Sequence, residues 1–245
     1  MKASEIIQSA NSKLYEEDYA DIVMRGGFLN RWVYQKTHKD LEFFNNKLSD
    51  TTPVVLELGA QADQHRKWVK NNYEKYIVSD VNFEPLVAAK ISEESIQASE
   101  RSSVKSFCPE IFFQEIDAEK IEYGGETFDR IVATCLVVHL DQPIDAFEEW
   151  RRVIKDGGCI DFYVPCEPGL ILRLARNVTH KRKNLRVDFP YDLLHYSQHK
   201  NHFPAINEFV KYIFANDVVR KRYFPFRFLS WNCNLWAIYS IRVKK

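Results

Sequence analysis

Apolar and polar positions along this chain switch between two periods. PVVLELG (53–59), KYIVSDV (75–81), IFFQEIDA (111–118), FDRIVATCLVV (128–138) and CIDFYVP (159–165) are short and largely apolar on both alternating faces. Such runs predict strands buried on both sides. Between them the period lengthens. ADQHRKWVKNNY (62–73) predicts a helix, and EPLVAAKI (84–91) predicts another, opened by Glu84 and Pro85. QPIDAFEEWRRVIKDGG (142–158) is amphipathic, with Ile144, Phe147, Trp150, Val153 and Ile154 on one face and Gly157 past its end. Residues 4–48 read as helices anchored by Tyr15, Tyr19, Trp32, Phe43 and Phe44, with a break at RGG. Little can be placed over 92–110.

Strands alternating with helices imply a parallel sheet covered by helices on both faces. The end of the chain breaks the alternation. NEFVKYIFANDVV (207–219) predicts a helix. RYFPFRFLSW (222–231) and LWAIYSIRVKK (235–245) are then β-rich runs separated by NCN, a hairpin signal. The expected class is therefore α/β: a Rossmann-like, mainly parallel sheet with an antiparallel final strand. Residues 1–50 form an N-terminal helical cap, 51–245 the main domain, and 167–206 a helical insertion after the fifth strand.

The 245 residues suit one α/β domain with a small appendage. Formal net charge is zero, so charge gives no reason to expect a nucleic-acid partner. No apolar run is long enough to span a bilayer, and the N-terminus lacks a signal-peptide core, which favours a cytoplasmic protein. The five cysteines, Cys108, Cys135, Cys159, Cys166 and Cys233, are scattered without a C-x-x-C pair and read as free thiols. Oligomeric state is left open.

The first strand ends in LELGAQADQH (56–65), the place of a nucleotide-binding loop. Glycine there permits positive φ and close approach of a ligand to backbone. Only Gly59 is present; Gln61 and Asp63 occupy positions where glycines are expected. One unfavourable backbone site costs about 1–3 kcal/mol. Glu57 is placed to accept a hydrogen bond from a ligand ammonium, and Asp80, ending the second strand, to hold ribose hydroxyls. A dinucleotide is disfavoured, because its diphosphate would meet Asp63 at the helix start.

FDRIVATCLVVHLDQPIDAFEEWRRVIKDGGCIDFYVP resembles the class I S-adenosylmethionine-dependent methyltransferases (methyltransferase type 11-like), above all in RRVIKDGG. The likeness spans about 50–166 and the final hairpin; LELGAQADQH matches the family's glycine loop at Glu57 and Gly59 alone. The resemblance implies a seven-stranded sheet with the last strand antiparallel, and S-adenosylmethionine as cofactor. It also implies that Asp117 accepts from the adenine amino group and that the Ala118 N–H meets a ring nitrogen. Val81 and Cys135 complete the cofactor set, and His139 lies near the methyl group.

The acceptor side is expected in 167–206. From Pro168 to Val187 there is no acid, while Arg173, Arg176, Lys181, Arg182, Lys183 and Arg186 are all basic. The run reads either as a solvated face or as a surface for an anionic acceptor. HYSQHKNHF then groups His195, His199 and His202. His199, His202 and His139 are base candidates, and Arg173, Arg176 and His195 substrate contacts. No metal ligand is assigned, because no carboxylate or cysteine accompanies the histidines in sequence. HKNHFP and PFRFLSWN are similar to segments of bacterial methyltransferases. The expected activity is methyl transfer to a small-molecule, sugar or lipid-linked saccharide acceptor, preferably at oxygen. The competing expectation is a non-catalytic binding or scaffolding protein that kept the fold and lost the loop.

Overall fold

A computed structural model describes residues 28–44, 54–61, 65–69, 72–84, 86–87, 89–91, 93, 109–181 and 191–245. Expectations for 4–27, Asp63, Pro85, Arg182, Lys183, Arg186 and Cys108 fall outside them. Seven strands form one sheet: β1 (Val54–Leu58), β2 (Lys75–Asp80), β3 (Glu110–Glu115), β4 (Phe128–Thr134), β5 (Ile154–Pro165), β6 (Val218–Phe224) and β7 (Trp236–Arg242). Their order is β3-β2-β1-β4-β5-β7-β6. The first five are parallel, and β7 pairs antiparallel with both β5 and β6. The chain turns from β1 to β2 on one side and later to β4 on the other, so the strand order reverses beside β1. Ligands of such sheets bind at the carboxyl ends next to that reversal.

Five helices are described in full: α1 (Phe28–Phe44), α2 (Pro143–Val153), α3 (Leu170–Lys181), α4 (Tyr191–Gln198) and α5 (Phe203–Ile213). The last three helices lie in or beside the expected insertion. On one face of the sheet Phe147 and Trp150 of α2 pack against Phe162 of β5, and Phe147 against Phe214 after α5. On the other face Leu41 of α1 joins Val55, Tyr76, Val132 and Ile238.

Several local expectations change. The helix over 62–73 reduces, among the described residues, to a single turn, Arg66–Trp68. Ile154 begins β5 in extended backbone (φ −74°, ψ 144°) and still reaches the core. Gly157 is not a helix cap; it lies inside β5 at φ +74°. Val218 and Val219 belong to β6 and not to the preceding helix. The hairpin turn is not NCN alone, since β6 stops at Phe224. Pro225 offers no N–H to a ladder, and the Asn234 side chain instead holds the loop, accepting from Phe226 N (2.7 Å) and donating to Leu229 O and Ser230 O.

In α1 the expected anchors Trp32 and Phe43 are exposed. The helix instead turns Tyr34, Thr37, His38, Asp40, Leu41 and Glu42 inward. Glu42 Oε1 accepts from Arg130 Nη2 (2.7 Å) and His65 Nε2 (2.9 Å), and Arg130 Nε donates to Asp161 Oδ2 (2.8 Å). Burial pushes Glu42 toward neutrality, but Arg130 and His65 outweigh it and hold its pKa at about 2. Burial also opposes the charge of Arg130, yet Glu42 and Asp161 keep it protonated above its usual range. An ionised Glu42 only accepts, so His65 Nε2 carries the proton. His65 Nδ1 then receives the bond from His38 Nδ1 at 2.8 Å. Both rings are neutral, and burial is the first cause of the lowered pKa of each.

Candidate active site at the strand ends

Beyond β1 the backbone enters left-handed conformations at Gly59 (φ +65°) and again at Gln61 (φ +47°). A Cβ on Gly59 would stand 2.8 Å from Leu136 Cδ1, so glycine is needed both for φ and for the close approach of the turn after β4. Gln61 lacks that freedom and takes the conformation nonetheless. Its N–H donates to Asp80 Oδ2 (2.9 Å), while Asp80 Oδ1 accepts from Asn82 N (2.9 Å). The Asp80 carboxylate is therefore oriented by two backbone donors, is partly exposed, and keeps lone pairs for ribose hydroxyls. Val81 beside it is exposed.

Glu57 is fully buried. Its Oε1 accepts from His65 N (3.2 Å) and its Oε2 from Tyr76 Oη (2.6 Å). The carboxylate braces the loop from beneath, a structural role beside the expected ammonium contact. Asp117, after β3, is exposed and orients its own turn through Glu119 N (2.9 Å). Ala118 is buried, and its carbonyl accepts from Trp150 Nε1 (2.9 Å).

After β4 the chain turns sharply. Cys135 is at φ +60°. Burial first, then Glu167, pushes its thiol up to about 11 despite a hydrogen bond with Tyr163. Asn201, just before α5, clasps the same turn by donating from Nδ2 to Val137 O (3.0 Å) and Leu140 O (2.7 Å). That clasp brings the segment 195–201 against His139. The rings of His139 and His199 meet edge to face at 4.8 Å. His139 Nδ1 lies 3.1 Å from Gln198 O. A carbonyl only accepts, so Nδ1 carries the proton and Nε2 the lone pair. Crowding, then His199, lowers the pKa of His139; its exposed edge tempers the effect, but the ring is neutral near pH 7.

The centre of this cluster is Glu167, in the tight turn that ends β5. Its Oε1 accepts from His199 Nδ1 (2.8 Å), His195 Nε2 (3.2 Å) and Arg176. Burial alone would raise its pKa, but His195, His199 and Arg176 draw it far below the ordinary carboxylate range. The structure thus brings together Cys135, His139, Arg176, His195 and His199. Arg173 is exposed and stands outside the cluster. His202 caps α5, and its Nδ1 is buried with no partner among the described residues. Sequence reasoning misses Glu167, which stands one residue before the acid-free run. An acid at the end of the fifth strand was the available signal. Asn201 carried no signal, since its role is a contact with a turn sixty residues away in sequence.

Residues 56–162 match the family described as a methyltransferase domain. No curated protein matches the sequence. Among solved structures, a phosphoethanolamine N-methyltransferase 2 of Haemonchus contortus in complex with S-adenosyl-L-methionine is similar at 12% identity, TM-score 0.58, over 85% of this chain and 53% of that one. The CurJ carbon methyltransferase is similar at 14% identity and TM-score 0.57, over 100% of this chain and 72% of that one. The PH0226 protein of Pyrococcus horikoshii OT3 is similar at 16% identity and TM-score 0.53, over 86% and 91%. At these identities the likeness fixes the fold. No helix among the described residues is long and apolar enough to cross a membrane.

Proposed function

Given a chain with the class I S-adenosylmethionine-dependent methyltransferase fold, we propose that it moves the cofactor's methyl group to an oxygen of a small-molecule or saccharide acceptor. His139 takes the hydroxyl proton. The observation that carries this reading is the junction of two clusters. Leu136 rests on Gly59 of the cofactor loop, and His139, three residues on, touches His199 of the Glu167 cluster. A proton acceptor therefore stands between the cofactor loop and the acceptor side.

The residues present fit the cofactor. Gly59 supplies the left-handed turn at the end of β1, Asp80 an oriented carboxylate for the ribose, and Asp117 an exposed acid at the adenine end. Bound there, S-adenosylmethionine supplies an electrophilic methyl on a sulfonium. The protein's part is placement, water exclusion and proton removal: Nε2 of His139 would accept the acceptor's O–H proton during methyl transfer. General-base help of this kind is worth roughly 10²–10⁴-fold. An anionic acceptor finds Arg173 exposed on α3, one turn from Arg176, which is engaged with Glu167.

A second reading keeps the fold and gives up turnover. It draws on Gln61 held at φ +47° and Leu136 packed on Gly59, which narrow the loop. Titration with S-adenosylhomocysteine separates the two. Binding at a hundredfold excess over Kd should add about 2.7 kcal/mol of stability, Asp80→Ala should weaken it roughly tenfold, and His139→Ala should leave it unchanged while slowing methyl transfer roughly 10²–10⁴-fold. Absence of any heat or rise in melting temperature would leave the scaffolding reading standing.

A further inference from the structure

Glu167 has two features that the proposed methyl transfer does not use. Its carboxylate is buried in a turn so tight that a Cβ on Gly169 would meet Cys166 O at 2.5 Å. All its described partners crowd on Oε1, while Oε2 is buried without a hydrogen bond among the described residues. His195 and His199 stand four residues apart, and His199 N–H donates to His195 O (2.9 Å), extending the helical turn. Residues at i and i+4 share a face, so both rings project toward the same oxygen, their centroids 4.0 Å apart.

We propose that Glu167, His195 and His199 form a binding site for a divalent transition-metal ion of the zinc type. Two imidazoles and one carboxylate are a ligand set that leaves a fourth position open. With metal–ligand bonds of about 2.0–2.1 Å, neighbouring donors of a tetrahedral site lie about 3.3 Å apart. Glu167 Oε1 stands 2.8 Å from His199 Nδ1 and 3.2 Å from His195 Nε2, and the three donor atoms lie within 4.8 Å of one another. The two carboxylate–imidazole separations differ from that spacing by a few tenths of an ångström. Cys135 and His139 offer donors within the same distance of one another and of His199, so a thiol and a neutral imidazole adjoin the site through His199. Arg176 neutralises Glu167 in the metal-free protein and must leave Oε1 when the ion arrives.

The site stands whether or not methyl transfer occurs. Only its use, holding the acceptor oxygen at the open position near His139, rests on that reading. The test is titration of the chelator-stripped full chain with Zn²⁺, and with Co²⁺ as a spectroscopic probe. One equivalent should bind, and Co²⁺ should give the intense visible absorption of a tetrahedral site. His199→Ala and Glu167→Gln should each weaken binding by roughly tenfold or more, whereas Arg176→Ala should tighten it several-fold by removing the competing cation. Circular dichroism and S-adenosylhomocysteine binding control for folding. If His195→Ala and His199→Ala bind like the unaltered chain, or if Co²⁺ shows only the weak spectrum of a solvated ion, the site does not exist. S-adenosylhomocysteine binding without metal binding overturns this proposal alone; metal binding without S-adenosylhomocysteine overturns the methyltransferase reading alone.

Discussion

Glu42 and Glu167 each accept hydrogen bonds from a histidine and an arginine, yet their surroundings differ in three ways. Around Glu42, the paired side chains of His65, Arg130 and Asp161 are 0%, 1% and 1% exposed. Around Glu167, the side chains of Arg176, His195 and His199 keep 19%, 11% and 12% of their surface. Among the described residues, the Glu42 network contains no buried side-chain polar atom without a partner, whereas Glu167 Oε2 is one. Cys135, in the second cluster, is left-handed, as are Gly59 and Gln61 at the end of β1, whereas none of His38, Glu42, His65, Arg130 and Asp161 in the first network is. A closed, matched and unstrained network serves attachment of α1 to the sheet. An open, unmatched cluster on strained backbone is what a reactive site needs.

The comparison breaks first at Arg130. Arg130→Met strands two buried carboxylates and should cost about 3–5 kcal/mol. In a chain of this size that lowers the melting temperature by roughly 6–20 °C. Replacing Glu42 and Asp161 by leucine in the same variant should restore part of the loss, because the stranded carboxylates are gone, while the buried His65 Nε2–H loses its Glu42 acceptor. Thermal denaturation of the single and triple variants decides it. A triple variant as unstable as the single one would mean that the network is not self-contained.

Acid sharpens the contrast next. His38 is held at a pKa of about 2, first by burial and then by His65, against 6.5 in the unfolded chain. Above pH 6.5 the ring is neutral in both states and contributes nothing to the pH dependence. As pH falls below 6.5 the unfolded chain takes up a proton that the folded chain refuses, and stability is lost. Between pH 6.5 and 5 this amounts to about 2 kcal/mol for one such histidine. His65, also lowered, adds in the same direction. His38→Gln keeps a donor for His65 Nδ1 and removes the titration, so its stability should fall by about 2 kcal/mol less over that interval. Denaturant unfolding at the two pH values measures the difference, and equal slopes for both proteins would contradict the assignment.

How much of each region could be read in the sequence follows from what patterns encode. The strands were legible because burial on both faces writes continuous apolar runs. The strand-end positions of Asp80 and Asp117 followed from them. The Glu42 network was not legible: it turns charge inward on a helix whose expected anchors Trp32 and Phe43 stay exposed, against the rule used to read α1. The three histidines at 195–202 were visible as a cluster, but their carboxylate partner sits some thirty residues earlier, and only the turn ending β5 brings it to them. Gln61 read as a departure from a glycine pattern. The structure has it adopting the glycine conformation all the same.

That last residue gives the finest test of the difference between the two regions. Gln61 at φ +47° carries a left-handed cost of about 1–2 kcal/mol. Gln61→Gly removes this strain but gives the unfolded chain more freedom, an opposing effect of about 0.4–1 kcal/mol. Folding stability should therefore stay within about 1 kcal/mol of the starting protein. Ligand affinity has no such cancellation, because the glycine also removes a side chain from the loop that S-adenosylhomocysteine must approach. Its binding should tighten several-fold, with the bond from residue 61 N to Asp80 Oδ2 retained. Gln61→Val is the counterpart, since a β-branched residue is poorly accommodated at positive φ; it should destabilise the fold and weaken binding together. Paired melting curves and calorimetric titrations of the two variants read both quantities. If Gln61→Gly changes stability by more than it changes affinity, the strain at the strand ends supports the fold, and the contrast with the Glu42 network disappears.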